Sequence, residues 1–263
     1  MCQSSAAAAI QIAAKSTKVA ALRVAVISDI HANLVALEAV LGALDEEAPD
    51  EVWCLGDLVG YGPRPNECCA LVRQRADVCL VGNHDLAVLG LVDIADFSLD
   101  AAAAARWTDE RLDDEERTFL SSLEPEARRA GVALYHGSAR DPVWEYVLTA
   151  ESAAATIAEA EDDVALVGHS HVALAVSLVD GTLNGGLAPE GTKHELEGAR
   201  WLLNPGSVGQ PRDGDPRAAY LLLDLDRRFG AFRRVPYAVQ ETQRQLRAAG
   251  LPETLATRLA QGH

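Results

Sequence analysis

The stretch Val78-Cys79-Leu80-Val81-Gly82-Asn83-His84-Asp85 sets a pattern that recurs along the chain. Its first four residues form an apolar run typical of a buried strand, and small or polar residues follow where that strand would end. Asn83 offers an amide oxygen that can bind a cation, His84 a titratable ring, and Asp85 a carboxylate that can hold this ring in one tautomer. The same residue types are common in ordinary turns, so the stretch alone leaves both interpretations open.

Two further units of the same kind lie upstream. Residues 23–27 form a β-branched apolar run that ends at Asp29-Ile30-His31, and residues 34–44 then carry apolar side chains at helical spacing. Residues 51–55 repeat the strand pattern and end at Gly56-Asp57, before a second helix. Alternating strands and helices predict parallel strands joined by right-handed crossovers, with the ligand site beyond their carboxyl ends.

The downstream half changes from helix to β-structure. Residues 86–124 are mostly helical in pattern and are expected to form a helical insertion, which either covers the site or simply packs beside it. Two more strands end in His136 and in Gly168-His169-Ser170-His171. Beyond them, the Asp180-Gly181 pair and a turn at residues 226–228 predict hairpins.

Composition predicts one large domain on residues 21–263. The chain is 49% hydrophobic and has no polar linker long enough to divide it. Residues 1–20 lack the order of segments that defines a secretory signal, and they are expected to be a flexible leader. No run approaches the roughly 20 apolar residues that span a bilayer, so no membrane association is expected.

Charge and cysteine usage narrow the class of partner. Lys and Arg total 23 against 39 Asp and Glu, and the net charge of −16 disfavours stable binding to nucleic acid or to an anionic membrane. The five cysteines lack zinc-type spacing and are typical of a reducing compartment, so a cytoplasmic location is expected. Neither feature indicates an oligomeric state.

Five strand-like runs each end in a polar motif, and these motifs hold five of the seven histidines. A single buried histidine that bonds to the backbone needs no function. Five at successive strand ends favour a metal site, with a descendant that no longer binds metal as the alternative. In chain order the motifs are Asp29-x-His31, Gly56-Asp57, Gly82-Asn83-His84-Asp85, His136 and Gly168-His169-Ser170-His171.

As a set, these motifs resemble those of the calcineurin-like metallophosphoesterases, in the bacterial phosphodiesterase-like branch, and Asn204-Pro205-Gly206-Ser207 extends the resemblance. The resemblance implies an α/β fold in which a two-sheet β-sandwich is flanked by helices in four αββα layers. It also implies a metal-dependent hydrolase of phosphoesters, with phosphodiesters or nucleotides favoured, that works by in-line attack of a metal-bridging hydroxide.

The resemblance further implies a centre for two divalent cations. One cation would be bound by Asp29, His31 and His171. The other would be bound by Asn83, His136 and His169, and Asp57 would bridge the two. His84 would face the substrate as the catalytic group, and Asp85 would orient it.

The charge of such a centre suits an anionic substrate. Two divalent cations and two carboxylates sum to about +2, and this local charge outweighs distant acidic groups. Nitrogen and oxygen ligands without thiolate suit Mn²⁺, our first choice because it commonly supports activity in this family, and also Fe²⁺, Zn²⁺, Co²⁺ or Ni²⁺. The expected partner is therefore a small phosphoester or nucleotide.

Two alternatives to this function stay open: a symmetrical dinucleoside polyphosphate hydrolase and a catalytically silent metal-binding scaffold. The family's dinucleoside tetraphosphatases usually carry arginine where this chain has Val81, which counts against the first. All seven ligand positions are kept, which counts against the second. Arg64, Arg140 and Arg212 lie in or near motif loops and either contact phosphate or are solvated surface residues.

Overall fold

A computed structural model describes residues 22–95 and 97–263. The leader predicted at residues 1–20 lies outside the described residues. Within the described part, two six-stranded sheets pack face to face between layers of helices. The predicted αββα sandwich is therefore confirmed.

The elements follow one another in a βα pattern that gives way to β-hairpins. In chain order they are β1 (Arg23–Ile27), α1 (Leu34–Glu47), β2 (Glu51–Cys54), α2 (Pro65–Arg75), β3 (Val78–Cys79), α3 (Asn83–Val88), α4 (Leu99–Asp109), α5 (Asp114–Ser121), β4 (Glu126–Arg129), β5 (Val132–Tyr135), α6 (Ala150–Glu159), β6 (Val164–Val167), β7 (Leu174–Val179), β8 (Thr182–Leu187), β9 (Lys193–Glu195), β10 (Arg200–Asn204), β11 (Ala218–Asp224), β12 (Phe229–Val235), α7 (Val239–Ala248) and α8 (Glu253–Leu259).

Both sheets are mixed. The strand order is β3-β2-β1-β11-β12-β9 in the first sheet and β4-β5-β6-β10-β7-β8 in the second. Parallel pairing joins β1 to β2, β2 to β3 and β5 to β6, as the βα pattern predicts. The strand β10 also pairs parallel to β6, although this part of the chain was expected to form hairpins. The predicted hairpins β7–β8 and β11–β12 pair antiparallel.

The layer between the sheets forms the central core. Alternate residues of β1 and β11 point inward with Trp53 and Phe232, because successive side chains of a strand face opposite sides. The outer face of the first sheet packs on α1 and α2, and that of the second sheet packs on α6. Burial on both faces explains why the central strands read as nearly continuous apolar runs.

Several strand and helix boundaries differ from those predicted from the sequence. β3 covers only two residues of the predicted run 78–81, at the edge of its sheet, and the Asn83 stretch opens helix α3 instead of a turn. The edge strands β4 and β9 were not predicted, since both are short and polar.

Residues 86–124 contain the second half of α3 and all of α4 and α5. Their packing shows features of both expected roles, a cover over the site and ordinary packing beside it. α5 packs on α2, as an ordinary supporting helix would. The loop before α4, however, brings Phe97 to 4.7 Å from the ring of His84. Among the described residues, no helix combines the length and hydrophobicity needed to cross a membrane.

Two phenylalanines on β12 test the position of the core. Phe232 is 2% exposed in the layer between the sheets, whereas Phe229 is partly exposed at the start of the same strand. We expect Phe232→Ala to lower the free energy of unfolding by about 3–5 kcal/mol, because it removes a buried ring and leaves a cavity. Phe229→Ala should cost clearly less in the same urea titration. Equal losses would contradict this account of the core.

Candidate metal centre

Loops at the carboxyl ends of the strands position the motif residues. Asp29 and His31 follow β1, and Asp57 follows β2. The two loops are tied together by backbone bonds from the Asp29 amide to the Gly56 carbonyl at 3.0 Å and from the His31 amide to the Asp57 carbonyl at 2.9 Å. The first sheet thus supplies one side of the site.

The second sheet supplies the other side. His136 follows β5, and His169 and His171 follow β6, its parallel neighbour. The amide of Gly168 donates to the carbonyl of His136 at 2.9 Å, which joins these two loops. All seven predicted metal ligands are buried where the two sheets meet: Asp29, His31, Asp57, Asn83, His136, His169 and His171.

Two clusters of donor atoms share Asp57. In the first, one donor atom each from Asp29, His31, Asp57 and His171 lie within 4.8 Å of one another. Its closest pair is Nε2 of His31 and Nε2 of His171, 2.9 Å apart. Oδ1 of Asp29 lies 3.4 Å from the latter nitrogen, and Oδ2 of Asp57 lies 3.5 Å from the former.

The second cluster joins Asp57, His136 and His169, again within 4.8 Å. Oδ2 of Asp57 lies 3.6 Å from Nε2 of His136. The amide oxygen of Asn83 lies 3.2 Å from the same nitrogen, which brings this residue into the cluster. The structure therefore groups the predicted ligands in two sets around one carboxylate.

Backbone carbonyls fix the tautomers of three histidines. Nδ1 lies 3.0 Å from the Val59 oxygen in His31, 2.8 Å from the Leu55 oxygen in His136 and 2.7 Å from the Gln210 oxygen in His171. A carbonyl only accepts, so Nδ1–H donates in each case and, in a neutral ring, Nε2 keeps a free lone pair.

Burial favours the neutral form, because it lowers the pKa of His31 and of His171 well below their usual range, with the nearby Arg212 charge acting in the same direction. Two lone pairs therefore face each other at 2.9 Å. A cation between them would remove this repulsion, and such carbonyl-bonded rings are the usual arrangement of metal-binding histidines.

The carboxylates also fit a cation. Both oxygens of Asp29 and Oδ2 of Asp57 are buried without a hydrogen-bond partner among the described residues. Burial, reinforced by the neighbouring Asp57, raises the pKa of Asp29 to about 7, and burial with the Asp85 charge raises that of Asp57 well above its usual range. Buried acids without donors are costly unless a metal binds them, so the residues fit two divalent cations.

The local backbone supports the same interpretation. Left-handed conformations are uncommon outside glycine and cluster at functional sites, where surrounding structure holds them in place. Five of the seven candidate ligands adopt one, with φ of 54° at Asp29, 49° at His31, 54° at Asp57, 60° at His169 and 58° at His171. In addition, a Cβ on Gly82 would lie 2.1 Å from Oδ1 of Asp57, so only glycine fits there.

His84 and Asp85 lie beside the clusters, but their predicted relationship is wrong. The ring of His84 lies 4.9 Å from that of His31 between centroids, and its Nδ1 is buried without a hydrogen-bond partner in residues 22–95 and 97–263. Asp85 instead accepts from the backbone amides of Val59 at 2.9 Å and Gly82 at 3.0 Å. It stabilises the start of α3 and the loop after β2, because its position in the first helical turn directs it back to those amides.

Other side chains position the His84 ring. It packs 4.4 Å from Tyr61 and 4.7 Å from Phe97 between centroids. Gly60 lies against it, since a Cβ there would approach Nδ1 of His84 to 2.6 Å. Burial, and secondarily the charge of Arg212, lower the pKa of His84 well below its usual range.

Of the three arginines singled out in the sequence, Arg212 is the one that reaches the site. Arg64 pairs with Glu67 at 2.6 Å, and Arg140 pairs with Glu145. Arg212 donates to Gln210 Oε1 at 2.9 Å and to the Tyr61 hydroxyl at 3.3 Å. Within residues 22–95 and 97–263 it forms no ion pair, so its positive charge is available beside the clusters.

The stretch Asn204-Pro205-Gly206-Ser207 supports the loops. Asn204 donates through Nδ2 to the Gly168 carbonyl at 2.7 Å, and Ser207 donates through Oγ to the Asp29 carbonyl at 2.7 Å. It thereby connects the loops of both sheets.

Sequence reasoning missed four aromatic residues around the clusters: Tyr61, Phe97, Trp144 and Tyr146. The one indication in the sequence was the low aromatic content of 5%, because a group of aromatic residues in one place is unusual in such a chain.

Known proteins resemble this chain along most of its length. A metallophosphoesterase of Sphaerobacter thermophilus has a crystal structure that superposes with a TM-score of 0.84 at 42% identity, covering 92% of this chain and 100% of that one. An uncharacterized protein of Methanocaldococcus jannaschii is 37% identical over 250 residues, 91% of this chain and 98% of its own. The crystal structure of a hypothetical protein of Pyrococcus horikoshii, at 21% identity and a TM-score of 0.74 over 92% of this chain and 98% of its own, shares the fold.

A shorter similarity links residues of this chain to a symmetrical bis(5′-nucleosyl)-tetraphosphatase of Psychromonas ingrahamii, 35% identical over 69 residues, or 25% of each protein. The family model of the calcineurin-like phosphoesterase superfamily domain matches residues 22–228, which include all seven candidate ligands. The chain belongs to the calcineurin-like phosphoesterase superfamily.

Proposed function

We propose that this protein hydrolyses phosphoesters, with phosphodiesters or nucleotides as substrates, at a centre that binds two divalent cations. The observation that carries the proposal is the pair of buried donor clusters sharing Asp57. Their carboxylates lack partners among the described residues, and their imidazoles present free lone pairs, which is the environment a cation requires.

We assign Asp29, His31 and His171 to one cation and Asn83, His136 and His169 to the other, with Asp57 shared. When bound, two adjacent cations would lower the pKa of water and offset negative charge on a phosphoryl group. We propose Mn²⁺, because this nitrogen and oxygen set without thiolate suits it, although Fe²⁺, Zn²⁺, Co²⁺ and Ni²⁺ also accept such ligands.

Two side chains outside the clusters complete the proposed site. Arg212 would pair with a phosphate oxygen, since it is held by neutral partners and keeps its charge. His84 would hydrogen-bond to the departing oxygen as general acid or charge stabiliser, because its ring lies next to the first cluster and none of the backbone carbonyls that fix the other rings is bonded to it. A neutral ring, which the lowered pKa favours, still donates one N–H. Asp85 acts on the backbone instead.

A symmetrical dinucleoside polyphosphate hydrolase is the second candidate, favoured by the short similarity to such an enzyme. Val81 in place of the usual arginine opposes it. Chromatography of the products from a dinucleoside tetraphosphate would separate the two: symmetrical cleavage gives two nucleoside diphosphates, whereas a simple diesterase leaves this substrate unchanged.

The function is tested by a screen of nucleotides, dinucleotides and bis(p-nitrophenyl) phosphate with Mn²⁺. We expect hydrolysis that a chelator abolishes. Asp57→Asn should abolish it too and should lose both cations together, because it removes the shared carboxylate. Asparagine has nearly the same shape and volume as Asp57, so the fold should be kept.

Asp226→Asn, which removes an exposed carboxylate in the β11–β12 turn, is the matched control and should keep activity and metal. Bound metal without hydrolysis of any screened substrate would favour the silent metal-binding scaffold instead. Less than one cation per chain in every Mn²⁺, Fe²⁺ or Zn²⁺ preparation would favour a descendant that no longer binds metal.

The division of ligands predicts opposite metal losses in two variants. His31→Ala should deplete chiefly one cation and His136→Ala chiefly the other, because each ring belongs to a different cluster. Anomalous scattering from crystals of both variants measures the occupancies. His194→Ala, a histidine on β9 outside the clusters, should leave both cations in place. Identical occupancy patterns in the two cluster variants would refute the assignment.

The role of His84 predicts a loss that depends on the leaving group. General acid catalysis typically contributes about 10²–10⁴-fold, and the gain shrinks when the departing oxygen is a weak base. His84→Ala should therefore reduce kcat strongly on a nucleoside diester with an alkyl leaving group and much less on a p-nitrophenyl ester. Metal content, measured alongside, should not change. Equal losses on both substrates would count against the role, and a lost cation would make His84 a ligand.

A further inference from the structure

We propose that Phe97, Trp144 and Tyr146 form an aromatic platform at the edge of the metal centre that stacks on a planar ring of the substrate, so that nucleoside phosphoesters are preferred over aliphatic ones. This inference rests on the proposed function and narrows its substrate class.

Several of the chain's few aromatic rings lie together beside the donor clusters. The chain has 4 Phe, 4 Trp and 5 Tyr. Phe97 contacts His84 with ring centroids 4.7 Å apart, and Trp144 contacts Phe97 edge to face at 5.8 Å. Phe97 also packs against the small hydrophobic cluster around Leu246, whereas Trp144 and Tyr146 lie outside the hydrophobic clusters of the described residues. Core packing therefore does not account for the position of these two rings beside the donor clusters.

Tyr146 provides a face for stacking. Its ring lies parallel to that of His169, with centroids 3.9 Å apart and an interplanar angle of 16°. The imidazole therefore covers one face of the tyrosine, yet Tyr146 is 47% exposed. Since the imidazole covers one face, we assign the exposed part of the ring to its other face and its edge, where a planar ring would stack beside the second cluster.

The loop that carries the platform is held in shape before any ligand binds. Trp144 accepts from Nε2 of His169 through its carbonyl at 3.2 Å, which fixes the loop to a candidate ligand. Oδ1 of Asp141 accepts from the amides of Val143 at 3.1 Å and Trp144 at 3.0 Å, and Ser138 bonds to both the loop backbone and Glu145. A preorganised platform loses little entropy on binding.

The charges around the platform select the rest of the ligand. Arg212 lies over the ring of Tyr61 at 5.7 Å, and Tyr61 in turn packs on His84 at 4.4 Å. The positively charged guanidinium of Arg212 therefore lies on the Tyr61 side of His84, and the aromatic rings lie on the Phe97 side. An anionic phosphate joined to a planar base matches both, and this combination is a nucleotide.

A neighbouring groove is an alternative binding place for the part of the substrate that carries no phosphate. A cavity of about 390 Å³ is lined by Val147, Leu148, Leu174 and Leu187 and begins one residue after Tyr146. Its walls are aliphatic and would suit an alkyl chain. The platform is the better place for a planar base, because its rings offer π faces.

The test compares two ligands that differ only in the base. AMP and ribose 5-phosphate are titrated by calorimetry into the Mn²⁺-loaded protein. Stacking of one base on aromatic side chains corresponds to about 5- to 150-fold in affinity, so AMP should bind tighter by a factor in this range. Equal affinities would overturn the platform. Because this is a binding measurement, it is separate from the hydrolysis screen, whose failure with every substrate would overturn the proposed function instead.

Variants assign the effect to the rings. Tyr146→Leu and Trp144→Leu should remove most of the preference for AMP and leave ribose 5-phosphate binding nearly unchanged, whereas Tyr146→Phe should keep the preference. Leu187→Ala, which truncates a 70% exposed side chain of the neighbouring groove, is the control and should have no effect. Equal weakening of both ligands would mean that the rings act only through His169, and loss of the preference in Leu187→Ala would move the base to the groove. Either result overturns the platform.

Discussion

The burial of unpaired donor atoms at the junction of two sheets is the constraint on which the rest of this structure depends. Asp29 and Asp57 are fully buried without donors for their free oxygens, and His31 and His171 direct lone pairs at each other. In the absence of a cation this arrangement opposes folding, because buried carboxylates and facing lone pairs are both unfavourable. Proteins retain such an unfavourable arrangement where binding of a cation requires it.

The surrounding backbone is organised to maintain that arrangement. Carbonyls of Val59, Leu55 and Gln210 fix three rings, and five ligand positions occupy left-handed conformations that the loops impose. None of these carbonyls belongs to a motif that the sequence makes visible. The ligands are therefore specified by side-chain type, while their orientation is specified by the path of neighbouring loops.

This division explains how far sequence reasoning reached. The strand-end motifs predicted parallel strands with a site beyond their carboxyl ends, and the family resemblance carried by these motifs implied the sandwich and the grouping of all seven ligands. Sequence reasoning failed where a contact depends on non-local geometry. Asp85 is adjacent to His84 in sequence but accepts hydrogen bonds from backbone amides instead. Short edge strands such as β4 and β9 were missed because their pairing, and not their composition, makes them strands. The aromatic residues beside His84 and His169 carry no motif at all.

The candidate ligands are divided between the sheets, so a cut in the middle of the chain would separate them. Asp29, His31, Asp57 and Asn83 precede β4, and the remaining three histidines follow it. Neither half carries a complete donor set for two cations, although each contains a run of parallel strands. A fragment of either half would therefore contain parallel strands without a complete centre for two cations, and both halves are needed for the centre to form.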